Sequence, residues 1–197
     1  MTTSWAVNRE GTAVLCMDYQ QDVVGMYPAD RQRDILQKAA SVLVAARRAQ
    51  LPVIYVVVRF RDGYPEVSPR NKIFQGLKQA GRLREGAPGA EIHPAVAPQP
   101  GEAIVTKRRV GAFATTDLET LLRAKQITHL VLIGIATSGV VLSTVRWAAD
   151  ADYELTVVAD ACADTDDEVH RVLTQKVFPR QATVIAAEAC VQALGRA

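Results

Sequence analysis

The sequence is poor in the residues that mark disulfide-stabilised proteins and metalloproteins. It has three cysteines and three histidines in 197 residues, and neither set has the spacing of a disulfide framework or a metal site. We therefore expect no metal and no cofactor. The formal net charge of +2 is too small to predict a nucleic-acid partner or binding to an anionic membrane.

Long hydrophobic runs are also missing. No apolar run approaches the ~20 residues needed to span a bilayer. Residues 1–5 lack the basic region and apolar core of a signal peptide. We therefore expect a cytoplasmic protein with reduced thiols and no membrane partner. Hydrophobic residues make up 49% of the chain, and its length predicts one domain, residues 1–197, with a sizeable core.

Short apolar runs alternate with helical patterns along the whole chain. The predicted strands are 13–17, 53–58, 103–106, 128–133, 155–158 and 182–186. The predicted helices are 30–50, 117–124, 138–150, 166–177 and 188–194, with a short one near 72–79 inside a long irregular excursion, 60–90. This alternation predicts an α/β fold whose parallel sheet is covered by helices on both faces and binds ligands beyond the carboxyl ends of its strands.

Two charged residues follow predicted strands at this edge. Asp18 follows the first strand and is either a cap for the next segment or an acid–base group whose pKa is raised by burial. Lys107 follows the third strand. It is either a solvated loop cation beside Arg108 and Arg109 or a partner of Asp18 that polarises a substrate oxygen. Its position alone favours the first interpretation.

A glycine-containing turn, residues 134–141, connects the fourth strand to the next helix. Such a turn directs backbone N–H groups into a cleft, and the helix dipole adds positive potential there, which suits a nucleophile with an oxyanion hole. No Cys, Ser or Lys occupies the position expected for the nucleophile. We interpret Thr137 and Ser138 as N-caps of the helix that starts there.

Three separated segments, residues 14–20, 105–113 and 134–137, resemble the isochorismatase-like (cysteine hydrolase) superfamily in sequence and order, over roughly residues 10–190. The resemblance implies a Rossmann-like three-layer sandwich with a six-stranded parallel sheet in the order 3-2-1-4-5-6. It also implies a cis peptide between Ile135 and Ala136, a small-molecule substrate, and a homodimer or homotetramer.

In the cysteine hydrolases of this superfamily, a Cys four residues after the Ala of the turn is the nucleophile, Asp is its base, and Lys stabilises charge. The resemblance places Val140 at that position. Valine has no nucleophilic atom, so we expect a variant that lacks the nucleophilic Cys. Isochorismatases also lack it, often have a smaller Gly there, and cleave a vinyl ether by protonation and attack of water. That route is open to Asp18 and Lys107.

We therefore assign Asp18, Lys107 and Val140 to the catalytic centre. The residues that we expect to bind substrate are Gln20, Arg59, Phe113, Ile135, Ala136 and Gly139. With Arg61, Arg59 indicates either a carboxylate-bearing ligand or a solvated lid. The resulting hypothesis is acid–base hydrolysis of a small carboxylate-bearing metabolite, and the alternative is an inactive member that only binds a small molecule.

The remaining cysteines, histidines and Trp147 are interpreted from their positions in the sequence. Cys162 is a small buried hydrophobe or, less favoured, a substitute nucleophile. Trp147 packs against the sheet or, less favoured, faces a partner subunit. The three histidines, His93, His129 and His170, are interpreted as structural or solvated, and Cys16 and Cys190 as core residues.

Overall fold

The computed structural model describes residue 8 and residues 10–196, so the expectation about a signal peptide concerns residues outside this part. The strands are β1 (Thr12–Met17), β2 (Val53–Val58), β3 (Ala103–Lys107), β4 (His129–Ile135), β5 (Glu154–Ala163) and β6 (Thr183–Ile185). The helices are α1 (Gln21–Val24), α2 (Ala29–Arg48), α3 (Lys72–Gln79), α4 (Leu118–Ala124), α5 (Leu142–Asp150), α6 (Asp167–Val172) and α7 (Ala187–Arg196).

The six strands form one parallel sheet in the order 3-2-1-4-5-6, which confirms the expected topology. In the middle of the sheet Met17 of β1 pairs with Val56 of β2 and Gly134 of β4, while Val58 of β2 pairs with Lys107 of β3. This register brings the carboxyl ends of four neighbouring strands to one edge. The sequence that follows each of these strands can therefore contribute to a single site.

Two apolar clusters cover the opposite faces of the sheet. Successive side chains of β1 alternate between them: Val14 and Cys16 belong to the cluster beneath α2 and α7, while Leu15 and Met17 belong to the one beneath α4 and α5. All six residues of β1 are buried. Each fully buried Leu, Ile or Val side chain contributes ~1.5–3 kcal/mol relative to an exposed one. A strand buried on both faces therefore anchors the site at its end.

The segment after β4 differs from the prediction. A wide turn, Thr137–Val141, precedes α5, which begins at Leu142 rather than at residue 138. Within it Gly139 has a non-helical conformation (φ −96°, ψ −105°). The interpretation of Thr137 and Ser138 as N-caps is wrong, because the cap position of α5 is Val141 and no side chain caps it.

β5 is longer than predicted because an irregularity interrupts its pairing with β4. Leu132 pairs with Val157, but Gly134 pairs with Cys162, so extra residues of β5 lie between the two pairs. The strand resumes after this bulge and ends at Ala163. Cys162 therefore lies inside a strand rather than after one.

Trp147 lies on the outer side of α5. Its side chain is 38% exposed and stacks on Phe113 with 3.9 Å between the ring centroids. The favoured expectation that Trp147 packs against the sheet is wrong, because this face of α5 turns towards the loop after β3. The homodimer or homotetramer remains a prediction. Within residues 10–196, no helix is long and apolar enough to cross a membrane.

Candidate active site

Asp18 and Lys107 form a buried ion pair at the carboxyl edge of the sheet. The Lys107 Nζ lies 2.8 Å from Asp18 Oδ2, and the two side chains are 2% and 8% exposed. Nζ also donates to the backbone carbonyl of Arg109 at 3.1 Å. Strands β3 and β1 flank β2, so the long lysine side chain spans β2 to reach the aspartate. The interpretation of Lys107 as a solvated loop cation is therefore wrong.

The two oxygens of the Asp18 carboxyl group differ. Lys107 contacts Oδ2, whereas Oδ1 is buried and has no hydrogen-bond partner among the described residues. Burial raises the pKa of Asp18, and the positive charge of Lys107 opposes that rise. The backbone there is left-handed (φ 58°), a conformation that aspartate adopts more readily than most residues. Asp18 is therefore fixed in place and suited to hold a proton on Oδ1.

The turn after β4 packs against the end of β5. The peptide between Ile135 and Ala136 is cis, as the resemblance implied. The Ser138 N–H donates to Oδ2 of the buried Asp164 at 2.7 Å, and the Gly139 N–H donates to the Ala136 carbonyl at 3.1 Å. Two N–H groups of the turn are therefore used inside the protein, where they hold its shape.

A cavity of about 530 Å³ lies in front of the ion pair and the turn. Six of the nine predicted site residues line it: Asp18, Lys107, Ile135, Ala136, Gly139 and Val140. Sequence reasoning missed the opposite wall, which is mainly apolar and comes from α1, α3 and the segments after them. Its members include Val23, Met26, Ile73, Phe74, Leu77 and Leu83, together with Arg82. The helical spacing of Ile73, Leu77 and Ala80 was the available signal.

A family model of the isochorismatase domain matches residues 12–189 of this chain. The chain belongs to the isochorismatase family. It is 32% identical to the uncharacterized isochorismatase family protein YwoC of Bacillus subtilis over 91% of this chain and 92% of that protein. It is also 32% identical to the ureidoacrylate amidohydrolase RutB of Caulobacter vibrioides, over 79% of this chain and 78% of RutB.

Solved structures agree with this assignment. An isochorismatase family protein from Burkholderia thailandensis superposes with a TM-score of 0.81 at 30% identity, covering 96% of this chain and 98% of the other. The chain is therefore an isochorismatase-family hydrolase with the fold of that family.

Gln20 does not line the cavity of this isochorismatase-family protein. Its amide donates to the carbonyls of Val58 (2.8 Å) and Ala90 (2.7 Å) and accepts from the Val58 N–H (2.8 Å), and its side chain is fully buried. These bonds connect the end of β1 to the end of β2 and to the excursion. Gln20 thus supports the edge of the site rather than contacting the cavity.

Arg59 and Phe113 also lie away from the cavity lining. The Arg59 guanidinium pairs with Glu91 at 3.0 Å and donates to the Ala90 carbonyl at 3.2 Å. Phe113 stacks on Trp147. The predicted substrate contacts of Arg59 and Phe113 are therefore not found. Each side chain instead contacts a residue whose proximity the sequence alone does not reveal.

The histidines have internal partners. The Nδ1 atom of His170 lies 2.8 Å from Thr137 Oγ1, His129 contacts Thr156, and His93 accepts from the Ala95 N–H. Burial, followed by the charge of Arg31, lowers the pKa of His170. Residues 10–196 contain no group of three His, Cys, Asp or Glu side chains that could hold a metal ion.

The three thiols are buried in the isochorismatase-family core. Cys162 lies in β5, and burial raises its pKa to about 12. Burial also raises the pKa of Cys190 to about 12 and that of Cys16 well above its usual value. A buried thiol with a raised pKa is a poor nucleophile. The interpretation of Cys162 as a small buried hydrophobe is confirmed.

Proposed function

We propose that this protein hydrolyses a small carboxylate-bearing metabolite by acid–base catalysis with Asp18 and Lys107 and without a covalent intermediate. The observation that carries this proposal is the buried pair itself, in which Lys107 holds one carboxylate oxygen of Asp18, the other oxygen has no partner among the described residues, and both residues line the cavity. A buried carboxyl group with a raised pKa is suited to proton transfer near neutral pH.

In the proposed reaction, Asp18 takes up a proton on Oδ1, which its raised pKa favours, and donates this proton to the substrate, and a water molecule adds to the resulting electrophilic carbon. Asp18 becomes a carboxylate, and the ammonium of Lys107 stabilises the new negative charge at 2.8 Å. The added water then returns one proton to Asp18, and its second proton goes to the leaving atom of the substrate as the bond between that atom and the carbon breaks. The proton balance closes, and no protein atom is bonded to the substrate.

Val140 supports the choice of a non-covalent route. Its side chain is 2% exposed and lines the cavity at the position where the resemblance puts a nucleophilic cysteine. An isopropyl group cannot attack a carbonyl carbon or protonate a leaving group. The names of the family and of its relative RutB suggest two substrates to test: isochorismate, which has an acid-labile vinyl ether, and ureidoacrylate, which has a ureido amide.

The test is turnover of isochorismate and ureidoacrylate by the wild-type protein and by Asp18→Asn. We expect the wild type to hydrolyse one of the two and Asp18→Asn to lose at least about 100-fold in kcat, a typical effect of removing a general acid. Asp62→Asn is the matched control, because Asp62 is an exposed acid paired with Arg84 outside the cavity. Undiminished turnover by folded Asp18→Asn would refute the proposal.

Val140 also favours a second candidate, a binding protein that lacks turnover. This alternative expects isochorismate or ureidoacrylate to raise the melting temperature of the wild type while no product forms. It further expects Val140→Cys to gain amidase activity, because the thiol would then face an intact Asp18 and Lys107. Product formation by the wild type excludes it.

A further inference from the structure

Arg82 differs from most arginines around the excursion in having no acidic partner among the described residues, and Arg70 and Arg109, which also have none, lie outside the cavity lining. Four of the other arginines each form an ion pair with an acidic side chain: Arg59 with Glu91, Arg61 with Glu66, Arg84 with Asp62, and Arg108 with Glu66. Arg82 lines the cavity, and its guanidinium makes no ion pair or hydrogen bond within the described part of the chain. Of the two cations in the cavity lining, Arg82 is thus the one still able to bind an anion.

The backbone of Arg82 is held in place although its side chain is exposed. Gly81 (φ 64°) ends α3: its N–H donates to the Lys78 carbonyl, and the Arg82 N–H donates to the Leu77 carbonyl at 3.0 Å. The hydroxyl of Tyr64 donates to the Arg82 carbonyl at 2.8 Å. Both backbone groups of Arg82 are therefore bonded, which reduces the entropy lost when the guanidinium binds a ligand.

Asp22 is the second carboxylate of the cavity lining and does not neutralise Arg82. Its Oδ2 accepts from the Leu83 N–H at 3.0 Å. Its Oδ1 lies only 2.1 Å from the place that a Cβ on Gly89 would occupy. Asp22 is therefore packed into the excursion and tethers the residue that follows Arg82.

Beside Arg82, one side of α3 presents an apolar surface to the cavity. Ile73, Gly76, Leu77 and Ala80 recur at helical spacing and line it. Ile73 is 64% exposed, and Met26, on the same wall, is 45% exposed. Large apolar side chains exposed around a cavity indicate contact with an apolar ligand surface.

We propose that Arg82 binds the carboxylate of the substrate and that the apolar side of α3 contacts a hydrophobic body attached to it. The substrate class is thus a carboxylate with an apolar portion that rests against α3 and a hydrolysable bond. The hydrolysable bond rests on the proposed function, whereas the recognition is a binding property and can be measured without turnover.

The test uses 3-phenylpropanoate, its uncharged analogue 3-phenylpropanamide, and the short acid butanoate as probes, with affinity measured by NMR titration. We expect the wild type to bind 3-phenylpropanoate at least about tenfold more tightly than the amide, since a charge-assisted hydrogen bond is lost with the charge. We also expect at least about tenfold tighter binding than butanoate, because the phenyl ring buries more apolar area.

Two variants with matched controls separate the contributions. Arg82→Gln should remove the preference for acid over amide, while Arg84→Gln, two residues away and outside the cavity lining, should keep it. Ile73→Gln should weaken binding of 3-phenylpropanoate severalfold and leave butanoate unchanged. Lys78→Gln, on the other side of α3, should change neither.

Equal affinity for acid and amide, no binding of the acid at millimolar concentration, or equal losses in Arg82→Gln and Arg84→Gln would each overturn the proposal. Measurements on Asp18→Asn distinguish a failure of the proposed carboxylate recognition from a failure of the proposed reaction. Arg82-dependent binding that persists in Asp18→Asn supports the recognition whatever the outcome for turnover. Turnover that depends on Asp18 but not on Arg82 would support only the proposed reaction.

Discussion

The ammonium of Lys107 lies 2.8 Å from the carboxylate of Asp18, and both groups are almost completely removed from solvent. The two residues are far apart in sequence and meet because β3 and β1 end at the same edge of the sheet. Burial destabilises the charged form of either residue alone, so the pair makes each charge tolerable to the other. Removing either residue should therefore change the free energy of unfolding measurably.

Replacing Lys107 with Met should therefore destabilise the protein in a pH-dependent way. A loss of about 3–5 kcal/mol is typical when one partner of a buried ion pair is removed. Burial already raises the pKa of Asp18, and loss of Lys107 removes the opposing effect, so its pKa rises further. The contribution of Asp18 to the stability of the variant should be greatest below the unfolded pKa, ~3.9, and decrease as pH rises towards the folded pKa, by at most ~1.4 kcal/mol per pH unit.

Urea denaturation between pH 5 and pH 8 measures this dependence. The double variant Asp18→Asn, Lys107→Met is the control, because it has no carboxylate to ionise and should show no such slope. If Lys107→Met lowers the free energy of unfolding by the same amount at every pH between 5 and 8, the result would contradict the buried pairing.

The partial burial of His170 predicts a second pH effect of opposite sign. Burial and the charge of Arg31 lower the pKa of His170, while Asp164 and Asp167 act in the other direction. A histidine with a lowered pKa contributes stability above its unfolded pKa of ~6.5, and this is lost as pH falls through the folded value.

We expect His170→Asn to be less sensitive than the wild type to a fall from pH 7.5 to pH 5, since asparagine can bond Thr137 without titrating. Thermal denaturation at several pH values is the measurement. His129, whose pKa is also lowered by burial, is present in both proteins and contributes equally. Parallel pH profiles for the two proteins would show that His170 is not the group responsible.

The buried thiols predict that the native protein is inert to alkylation. Cys16, Cys162 and Cys190 are all buried, and burial raises the pKa of each. Treatment with iodoacetamide at pH 7.5 should leave all three unmodified over the time in which free glutathione is consumed. In urea all three should react, as counted by mass spectrometry. Rapid labelling of Cys162 in the native state would restore it as a candidate nucleophile.

The fold and the ion pair could be predicted because both depend on strong local patterns. Continuous apolar runs define buried parallel strands, and polar residues directly after them converge at one edge. Arg59 shows where this reasoning ends. Arg59 directly follows β2, and Lys107 is the last residue of β3, yet Arg59 is neutralised by Glu91, which lies 32 residues away just after the excursion. Which arginine has an acidic partner depends on how the excursion folds, and for that reason Arg82 was not identified from sequence.

Substitutions at Gly76 should affect both the stability of α3 and the binding of a ligand in the cavity. It lies in the interior of α3, its φ is not positive, and a Cβ added there would have no heavy atom within 4 Å. Glycine in a helix interior is ~0.5–1 kcal/mol less stable than alanine, so Gly76→Ala should stabilise the protein by about that amount in urea denaturation. Gly195, in α7, also has open space around its Cβ position, and Gly195→Ala is the control for a helical effect away from the site.

Because Gly76 lines the cavity, Gly76→Phe should in addition weaken binding of 3-phenylpropanoate, whereas Gly195→Ala should not. A stabilised Gly76→Ala together with unchanged binding in Gly76→Phe would show that the ligand does not lie against α3.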